Sequence, residues 1–203
     1  MKKLLSVIMA CVMMAGCLSV SASAAELGLD NETKQEYYAE YIKIAEDVAK
    51  ETELDISVLP MSEFTEEDWR TPEEFRTIIT AFANWKIDCV DVGGIQPYSS
   101  ASATKSATIT ADGRNYTISI TGDFETALNT STGRQHFNGI NSITSKISGS
   151  TGSWKQTGYE SKSLDAARTY GITVSGELTV AGAKFRNKLA YVEFYCSSTG
   201  VVS

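Results

Sequence analysis

Few residues in this 203-residue sequence are of types that carry out acid–base or nucleophilic chemistry. His136, within STGRQHFNG, is the only histidine, so no other imidazole could activate a serine or cysteine nucleophile. The sequence has no G-x-S-x-G segment, which would mark a serine on a sharp strand-to-helix turn. Cys89 lies in DCVDV, and acidic neighbours raise the pKa of a thiol and lower its reactivity. His136 is therefore expected in a surface loop, and the sequence predicts no catalytic residue.

Acidic residues are abundant, and paired carboxylates could hydrolyse a glycoside if a cleft held them about 5–10 Å apart. Residues 26–95 contain 18 acidic and 6 basic side chains, a net charge of −12. Among so many acids some pair is inevitable, and acids on the polar faces of helices are normally only solvated. A small secreted hydrolase that uses acidic residues or His136 is therefore kept as an alternative function.

Sequence patterns that hold metals or phosphates are missing. There is no H-E-x-x-H, no C-x-x-C, no EF-hand loop and no G-x-x-x-x-G-K-[ST] segment. Calcium could be gathered in hairpin loops by Asp112, Asn115, Asp123 and Glu125, although such residues are more often turn formers or solvated side chains. The sequence predicts neither a metal nor a cofactor.

Aromatic residues in polar, glycine-containing segments suggest a binding surface. Trp154, Tyr159 and Tyr170 could stack on sugar rings, with Gln156 and Asn187 supplying hydrogen bonds. The alternative is that Trp154 begins a strand and packs inward. Trp154, Gln156 and Tyr159 are therefore predicted to bind a ligand such as a glycan.

Basic residues are concentrated in the K-F-R-N-K segment, which contains Lys184, Arg186 and Lys188. Lys184 and Arg186 are predicted as ligand contacts, because this patch could meet an anionic wall polymer or lipid headgroups. Three charges contribute only about 1 kcal/mol each near an anionic surface. The chain as a whole carries a net charge of −7, which argues against a nucleic-acid partner.

The first 24 residues have the pattern of a secretory signal peptide. Lys2 and Lys3 precede the apolar run 4–20, and Ala22-Ser23-Ala24 matches an A-x-A cleavage site. We expect release of the mature chain, which contains no apolar run long enough for a transmembrane helix. The alternative is lipid attachment at Cys17, which would hold the protein on the outer face of the membrane.

After Ala24 only Cys89 and Cys196 remain. In an exported chain two cysteines suggest one disulfide, and that bridge is predicted here. The alternative is a pair of separate buried thiols.

Two amphipathic helices are predicted in the acidic region. In residues 30–50, Tyr37, Tyr41 and Ile44 begin a helical apolar stripe. Thr71-Pro72-Glu73-Glu74 predicts a second helix over 72–86, with Thr71 as the N-cap and Glu74 reaching back to it.

The remainder of the chain is rich in Ser and Thr and has alternating apolar residues, which favours antiparallel strands. A hairpin is predicted over 106–121, with further strands over 124–164, 170–180 and 189–196. The last of these is apolar on both faces, which indicates a central strand. The expected fold is α+β, with the two helices followed by an antiparallel β-sandwich. The predicted organisation is a signal peptide (1–24), an acidic helical region (25–95), a linker (96–106) and a β-sandwich domain (107–203).

The signal peptide, the acidic Tyr-rich helix and the Ser/Thr-rich β region together resemble small exported proteins of Gram-positive bacteria, many of which are uncharacterised. This resemblance concerns overall style and implies no functional residue. The preferred function is an exported or cell-surface, non-enzymatic module that binds a wall component, a glycan or a protein partner. Besides the hydrolase, an inhibitor or immunity-type partner protein is kept as an alternative.

Overall fold

Two α-helices pack against a β-sheet in the computed structural model, which describes residues 28–91, 101–149 and 151–203. Helix α1 spans Asn31–Thr52 and helix α2 spans Pro72–Asn84, with a short 3-10 helix at Met61–Glu63 between them. Asp30 caps α1 by accepting a hydrogen bond from the Thr33 backbone N–H at 2.8 Å. Thr71 and Glu74 form the expected capping box on α2. Both helices begin where the sequence predicts, because these signals are local.

The strands form one mixed sheet. They are β1 (Ile56–Val58), β2 (Ile87–Asp91), β3 (Ser102–Ala111), β4 (Arg114–Asn129), β5 (Arg134–Ser148), β6 (Ser153–Leu164), β7 (Thr169–Val180) and β8 (Ala183–Tyr195). Their order is β5-β4-β3-β2-β8-β7-β6, and β1 also pairs with β8. Strand β2 lies between β3 and β8 and so joins strands β3–β5 to strands β6–β8. It runs antiparallel to β3 and parallel to β8. The acidic region therefore contributes a strand to the middle of the sheet.

Strands β5 and β6, at the two ends of this order, are linked by side-chain hydrogen bonds. Trp154 Nε1 on β6 donates to Ser145 Oγ on β5 at 2.7 Å, and Gln156 Nε2 donates to the Ile143 carbonyl oxygen at 3.1 Å. The sheet thus curls into a nearly closed barrel. Register shifts in the β4–β5, β6–β7 and β7–β8 pairs provide bulges, which bend strands and favour closure.

The expected α+β fold with a β-sandwich is therefore wrong: the chain is mostly β, and its single sheet is barrel-like. Alternation along a strand shows only that one face is buried, and barrels and sandwiches bury alternate residues equally well. The predicted linker also overlaps β3, which begins at Ser102. The predicted signal peptide and Cys17 lie outside the described residues.

The helices cover one end of the barrel. Tyr41 of α1 stacks on Phe75 of α2 with 4.1 Å between ring centroids, and Phe82 meets Tyr116 of β4 edge to face at 4.8 Å. This core includes Ala111 and Ala181, which lie at the β3–β4 and β7–β8 turns. A second apolar cluster fills the barrel interior and includes Ile118, Phe124, Val174, Val192 and Phe194. The opposite end therefore carries the β4–β5 and β6–β7 turns.

The disulfide expected between Cys89 and Cys196 is not formed, and both residues are buried free thiols. In the parallel β2–β8 pair, Cys89 lies beside Val192, four residues before Cys196. At about 3.3 Å per residue, the two cysteines are offset by about 13 Å along the strands. A disulfide needs Cα atoms within about 7 Å, so this register excludes the bridge.

Among the described residues, no helix combines the length and the apolar character needed to cross a membrane.

Candidate ligand-binding groove

A depression lies where both helices end beside strands β2 and β8. It has a volume of about 580 Å³ and adjoins a second depression of about 490 Å³. Asp88 and Tyr191 line both, so together they form one continuous groove over the outer face of the sheet. Side chains prominent in its lining are Trp85, Lys86, Asp88, Lys188, Leu189 and Tyr191.

Tyr191 lies across the middle of this groove. Its neighbours across the strands are Asp88 on β2 and Thr173 on β7. The ring extends over Gly171, where a Cβ atom would lie only 2.8 Å from the Tyr191 hydroxyl oxygen and 3.4 Å from Cε2. The absence of a side chain at residue 171 is therefore what lets the ring lie on the sheet. With 38% of its surface exposed, the ring is available to a ligand.

The orientation of this ring is fixed by a hydrogen bond. The Tyr191 hydroxyl donates to Glu193 Oε1 at 2.7 Å. This hydrogen bond raises the pKa of Tyr191, and burial adds to the increase. The side chain is thus held as a neutral, oriented aromatic platform.

A bulge in β8 shapes the helical side of the groove. Asn187 adopts a left-handed backbone conformation with φ of 55°, and the register shifts at this point of the β7–β8 pair. The shift turns Lys188 inward, where its Nζ donates to the carbonyl oxygens of Phe82 at 2.7 Å and Ala83 at 3.0 Å. Lys188 therefore ties the end of α2, where helix carbonyls carry partial negative charge, to β8.

Burial lowers the pKa of Lys188 to about 8. Within the described part of the chain, Lys188 has no carboxylate partner, so the helix carbonyls alone offset the removal of its charge from water. The lysine acts as a structural clamp beneath the groove.

The electrostatic character of the groove is mildly acidic. Its lining contains four acids and three lysines: Glu51, Asp88, Asp91 and Glu193, with Lys86, Lys105 and Lys188. Lys105 pairs with Asp91 at 3.4 Å, and Lys188 is buried. Among the described lining residues, this leaves Lys86 as the only exposed amine without an ion pair, facing three carboxylates.

Of the ligand residues predicted from sequence, Asn187 lines the groove, whereas the others lie elsewhere and on different faces of the sheet. Trp154 and Gln156 point inward and bond to β5, at the seam of the barrel. Tyr159 is exposed on β6. Lys184 pairs with Glu177 at 3.0 Å, which lowers the pKa of that carboxyl, and Arg186 pairs with Asp55 at 3.1 Å. The three cationic residues of the K-F-R-N-K segment therefore do not form one unpaired patch.

The sequence pattern around Tyr191 does not mark it as a binding residue. The last strand is apolar on both faces in sequence, and this pattern predicts that its Leu189, Tyr191 and Tyr195 face is covered as in a central strand. All three are more than a third exposed instead. The second apolar face of this strand, within a Ser/Thr-rich sheet, could have indicated a binding surface, because exposed apolar patches mark binding sites.

Within the described residues, no group of three or more His, Cys, Asp or Glu side chains is placed to hold a metal ion. No protein-family model matches the chain, and neither does any curated protein or any solved structure.

Proposed function

We propose that this protein is an exported or surface-held, non-enzymatic binding module and that the groove beside β8 takes a neutral or amino-sugar polysaccharide. One observation carries the proposal: the Tyr191 ring lies over Gly171, is fixed by Glu193 and is exposed in the middle of the groove. A rigid aromatic ring of this kind can bind without losing much side-chain freedom.

The chemistry of the groove matches a sugar chain. The electron-rich face of an aromatic ring attracts the C–H face of a sugar ring. Carboxylates at Asp88 and Glu193 accept hydrogen bonds from sugar hydroxyls, and the side-chain amides of Asn84 and Asn187 can both donate and accept. Because two depressions join at Tyr191, the groove suits several linked sugars better than one.

The charge of the groove selects against a polyanionic polymer. Three carboxylates face one exposed amine without an ion pair, so a chain of phosphates or uronic acids would be repelled. A neutral chain, or one with free amino groups, avoids this cost.

Export rests on the sequence pattern alone. The charged start, the apolar run and Ala22-Ser23-Ala24 support secretion with cleavage after Ala24, with lipid attachment at Cys17 as the alternative. Either route would bring the module to the cell wall, where polysaccharides are abundant. The intact mass of the protein processed by a Gram-positive host would distinguish the two.

The binding test uses protein expressed from the full sequence and purified as its host processes it. Retention on insoluble peptidoglycan and on chitin is measured for the wild type, Tyr191→Ala and Gly171→Ala. The first variant removes the platform. The second changes no residue that lines the groove but displaces the Tyr191 ring, because the new Cβ atom would overlap the Tyr191 hydroxyl.

We expect both variants to bind about five- to tenfold more weakly, as for loss of an aromatic contact of about 1–1.5 kcal/mol. Gly158→Ala is the matched control, since a Cβ atom at residue 158 has no neighbour within 4 Å. Equal retention of Tyr191→Ala and wild type would contradict the proposal. Release of soluble sugar fragments by the wild type would instead favour the hydrolase.

A further inference from the structure

A second, smaller pocket lies at the barrel end opposite the helices. It has a volume of about 220 Å³ and lies between the β4–β5 and β6–β7 turns. Its lining residues are Asn129, Thr132, Arg134, His136, Ala166 and Arg168, and they define what we call the turn pocket. Pockets for drug-sized ligands occupy about 300–1,000 Å³, so the turn pocket suits a single small group.

The turn pocket is framed by hydrogen bonds between segments far apart in sequence. The backbone N–H of Phe137 donates to the Ala167 carbonyl oxygen at 2.8 Å, and that of Cys196 donates to the Arg168 carbonyl oxygen at 2.8 Å. The β6–β7 turn is therefore tied to both β5 and the end of β8. These hydrogen bonds, together with the turn's own sequence, fix its position.

The same turn has a strained backbone. Asp165, Ala166 and Ala167 are three consecutive non-glycine residues with φ of 51°, 55° and 62°. Left-handed conformations are unfavourable for residues with a Cβ atom, and they persist where surrounding contacts impose them, often at ligand sites. This conformation brings Ala166 and Arg168 to the wall of the turn pocket.

The turn pocket is lined by two cationic side chains, Arg134 and Arg168, together with His136. No acidic residue is among its described lining residues. Neither arginine forms a salt bridge within the described residues. Asp165, three residues before Arg168, does not pair with it through its carboxylate, which accepts a hydrogen bond from Thr169 Oγ1 at 3.3 Å.

Two buried polar atoms of these side chains have no partner in the described part of the chain. They are Arg134 Nε and His136 Nδ1. Arg134 is nevertheless held in place, because its Nη2 donates to the Tyr195 hydroxyl and to the Cys196 carbonyl oxygen, both at 3.1 Å. Gln135 Oε1 is also without a partner, but strand alternation places it on the other face, towards Gly200. Arg168 Nε donates to the Asp165 carbonyl oxygen at 2.7 Å, so backbone oxygens hold both arginines in place and no carboxylate in the described part of the chain neutralises them.

We propose that the turn pocket binds a phosphate group. Guanidinium groups bind phosphate through paired, charge-assisted hydrogen bonds, and Arg134 and Arg168 approach the pocket from different segments. The tetrahedral oxygens of phosphate can accept from both arginines and from His136 at once, whereas a planar carboxylate has only two oxygens. The phosphate could be free or part of a phosphodiester polymer. This site is separate from the groove beside β8 and does not depend on the polysaccharide proposal.

The single histidine makes a direct test possible, because the full chain has only one pair of imidazole C–H resonances. Inorganic phosphate is titrated into the protein at constant pH and ionic strength while these resonances are followed. We expect a saturable shift of the His136 signals. Acetate at the same ionic strength should give none, and dimethyl phosphate in a parallel titration reports whether a diester is accepted.

The key variant is Arg168→Gln, which alters an exposed side chain and should leave the fold intact. We expect its phosphate affinity to fall about tenfold or more, as for loss of a hydrogen bond to a charged group. Arg186→Gln is the matched control, because Arg186 is also an exposed arginine but pairs with Asp55. Tyr191→Ala should bind phosphate normally, which separates this result from failure of the polysaccharide proposal.

Three results would overturn the phosphate site. They are the absence of a saturable His136 shift, an equal shift with acetate, and unchanged affinity in Arg168→Gln. If Arg168→Gln does not fold, two other variants give the same comparison. Thr132→Ala should bind phosphate more weakly than the wild type. Phosphate should raise the thermal midpoint of His136→Gln less than it raises that of the wild type.

Discussion

The guanidinium Nε of Arg70 lies 2.8 Å from Asp112 Oδ2, and this buried ion pair joins the segment before α2 to the turn between β3 and β4. Arg70 is 1% exposed, and its Nη1 also donates to the carbonyl oxygens of Glu67 and Trp69. The Tyr41 hydroxyl is bonded to the backbone N–H and carbonyl of Arg70. Arg70 thus connects both helices to the barrel.

Removing the charge of Asp112 should destabilise the fold strongly. We expect Asp112→Asn to lower the free energy of unfolding by about 3–5 kcal/mol, because the buried guanidinium would lose its countercharge. Asparagine tolerates the left-handed backbone at residue 112, where φ is 52°, so the change isolates the charge. The measurement is denaturant unfolding followed by circular dichroism.

The matched control for that experiment is Asp55→Asn. Asp55 and Arg186 form an exposed ion pair, with side-chain exposures of 54% and 44%. Exposed pairs contribute about 0–1 kcal/mol, so the control should unfold almost as the wild type does. Equal losses in the two variants would show that burial of Arg70 does not set the cost.

Cys89 and Cys196 should be present as unreactive thiols. Burial and the neighbouring Asp88 raise the pKa of Cys89 to about 11, and burial raises the pKa of Cys196. At neutral pH, we expect iodoacetamide to leave both unmodified in the native protein and to alkylate both in denaturant without reductant. Mass spectrometry reads out the result, and a gain of about 2 Da on reduction would instead indicate a disulfide.

Lys188 should make the stability of the protein depend on pH in alkaline solution. Its pKa is about 8 in the fold and 10.5 as the ordinary value for the unfolded chain. Between these values the unfolded chain holds the proton and the folded chain does not, so this group increases stability as pH rises from about 8 to 10.5.

Comparison with Lys188→Met isolates that contribution, since the ionisations of tyrosines and cysteines occur in both proteins. We expect the unfolding free energy of the wild type to rise relative to the variant by on the order of 3 kcal/mol across the window, because each unit of difference in pKa corresponds to about 1.4 kcal/mol. Denaturant unfolding at a series of pH values measures it. A difference that is constant with pH would contradict the lowered pKa.

Trp154 should contribute to barrel closure. Trp154→Phe removes the indole N–H that donates to Ser145, and we expect a loss of about 1–2 kcal/mol in unfolding free energy. Tyr159→Ala, at a residue that is 42% exposed, should change stability by about 0.5 kcal/mol or less. If Trp154 is instead a ligand residue, as its sequence surroundings suggested, the Phe variant would lose polysaccharide retention with little change in stability.

Some of these features could be predicted from sequence and others could not. The α2 capping box was visible because Thr71 and Glu74 are three residues apart, and their interaction is local. The role of Tyr191 as a binding surface could not be predicted, because it depends on Gly171 in the neighbouring strand. The sequence places Lys188 in a basic surface patch, but the residue is buried. The bulge at Asn187 that turns it inward depends on pairing with β7 and could not be predicted.

The sequence by itself determined the helix starts, the Asp112-Gly113 turn and the alternation of strands such as β7, because each depends on residues close together in the chain. Only the tertiary structure decided that β2 lies parallel to β8, that β5 and β6 meet at a seam, and that Cys89 and Cys196 are too far apart to bond. These relationships join residues distant in sequence, and a strand's own pattern shows that it has a buried face without showing which strand lies beside it. The same reason explains the turn pocket, where Arg134 and Arg168 meet because two separate turns share one end of the barrel.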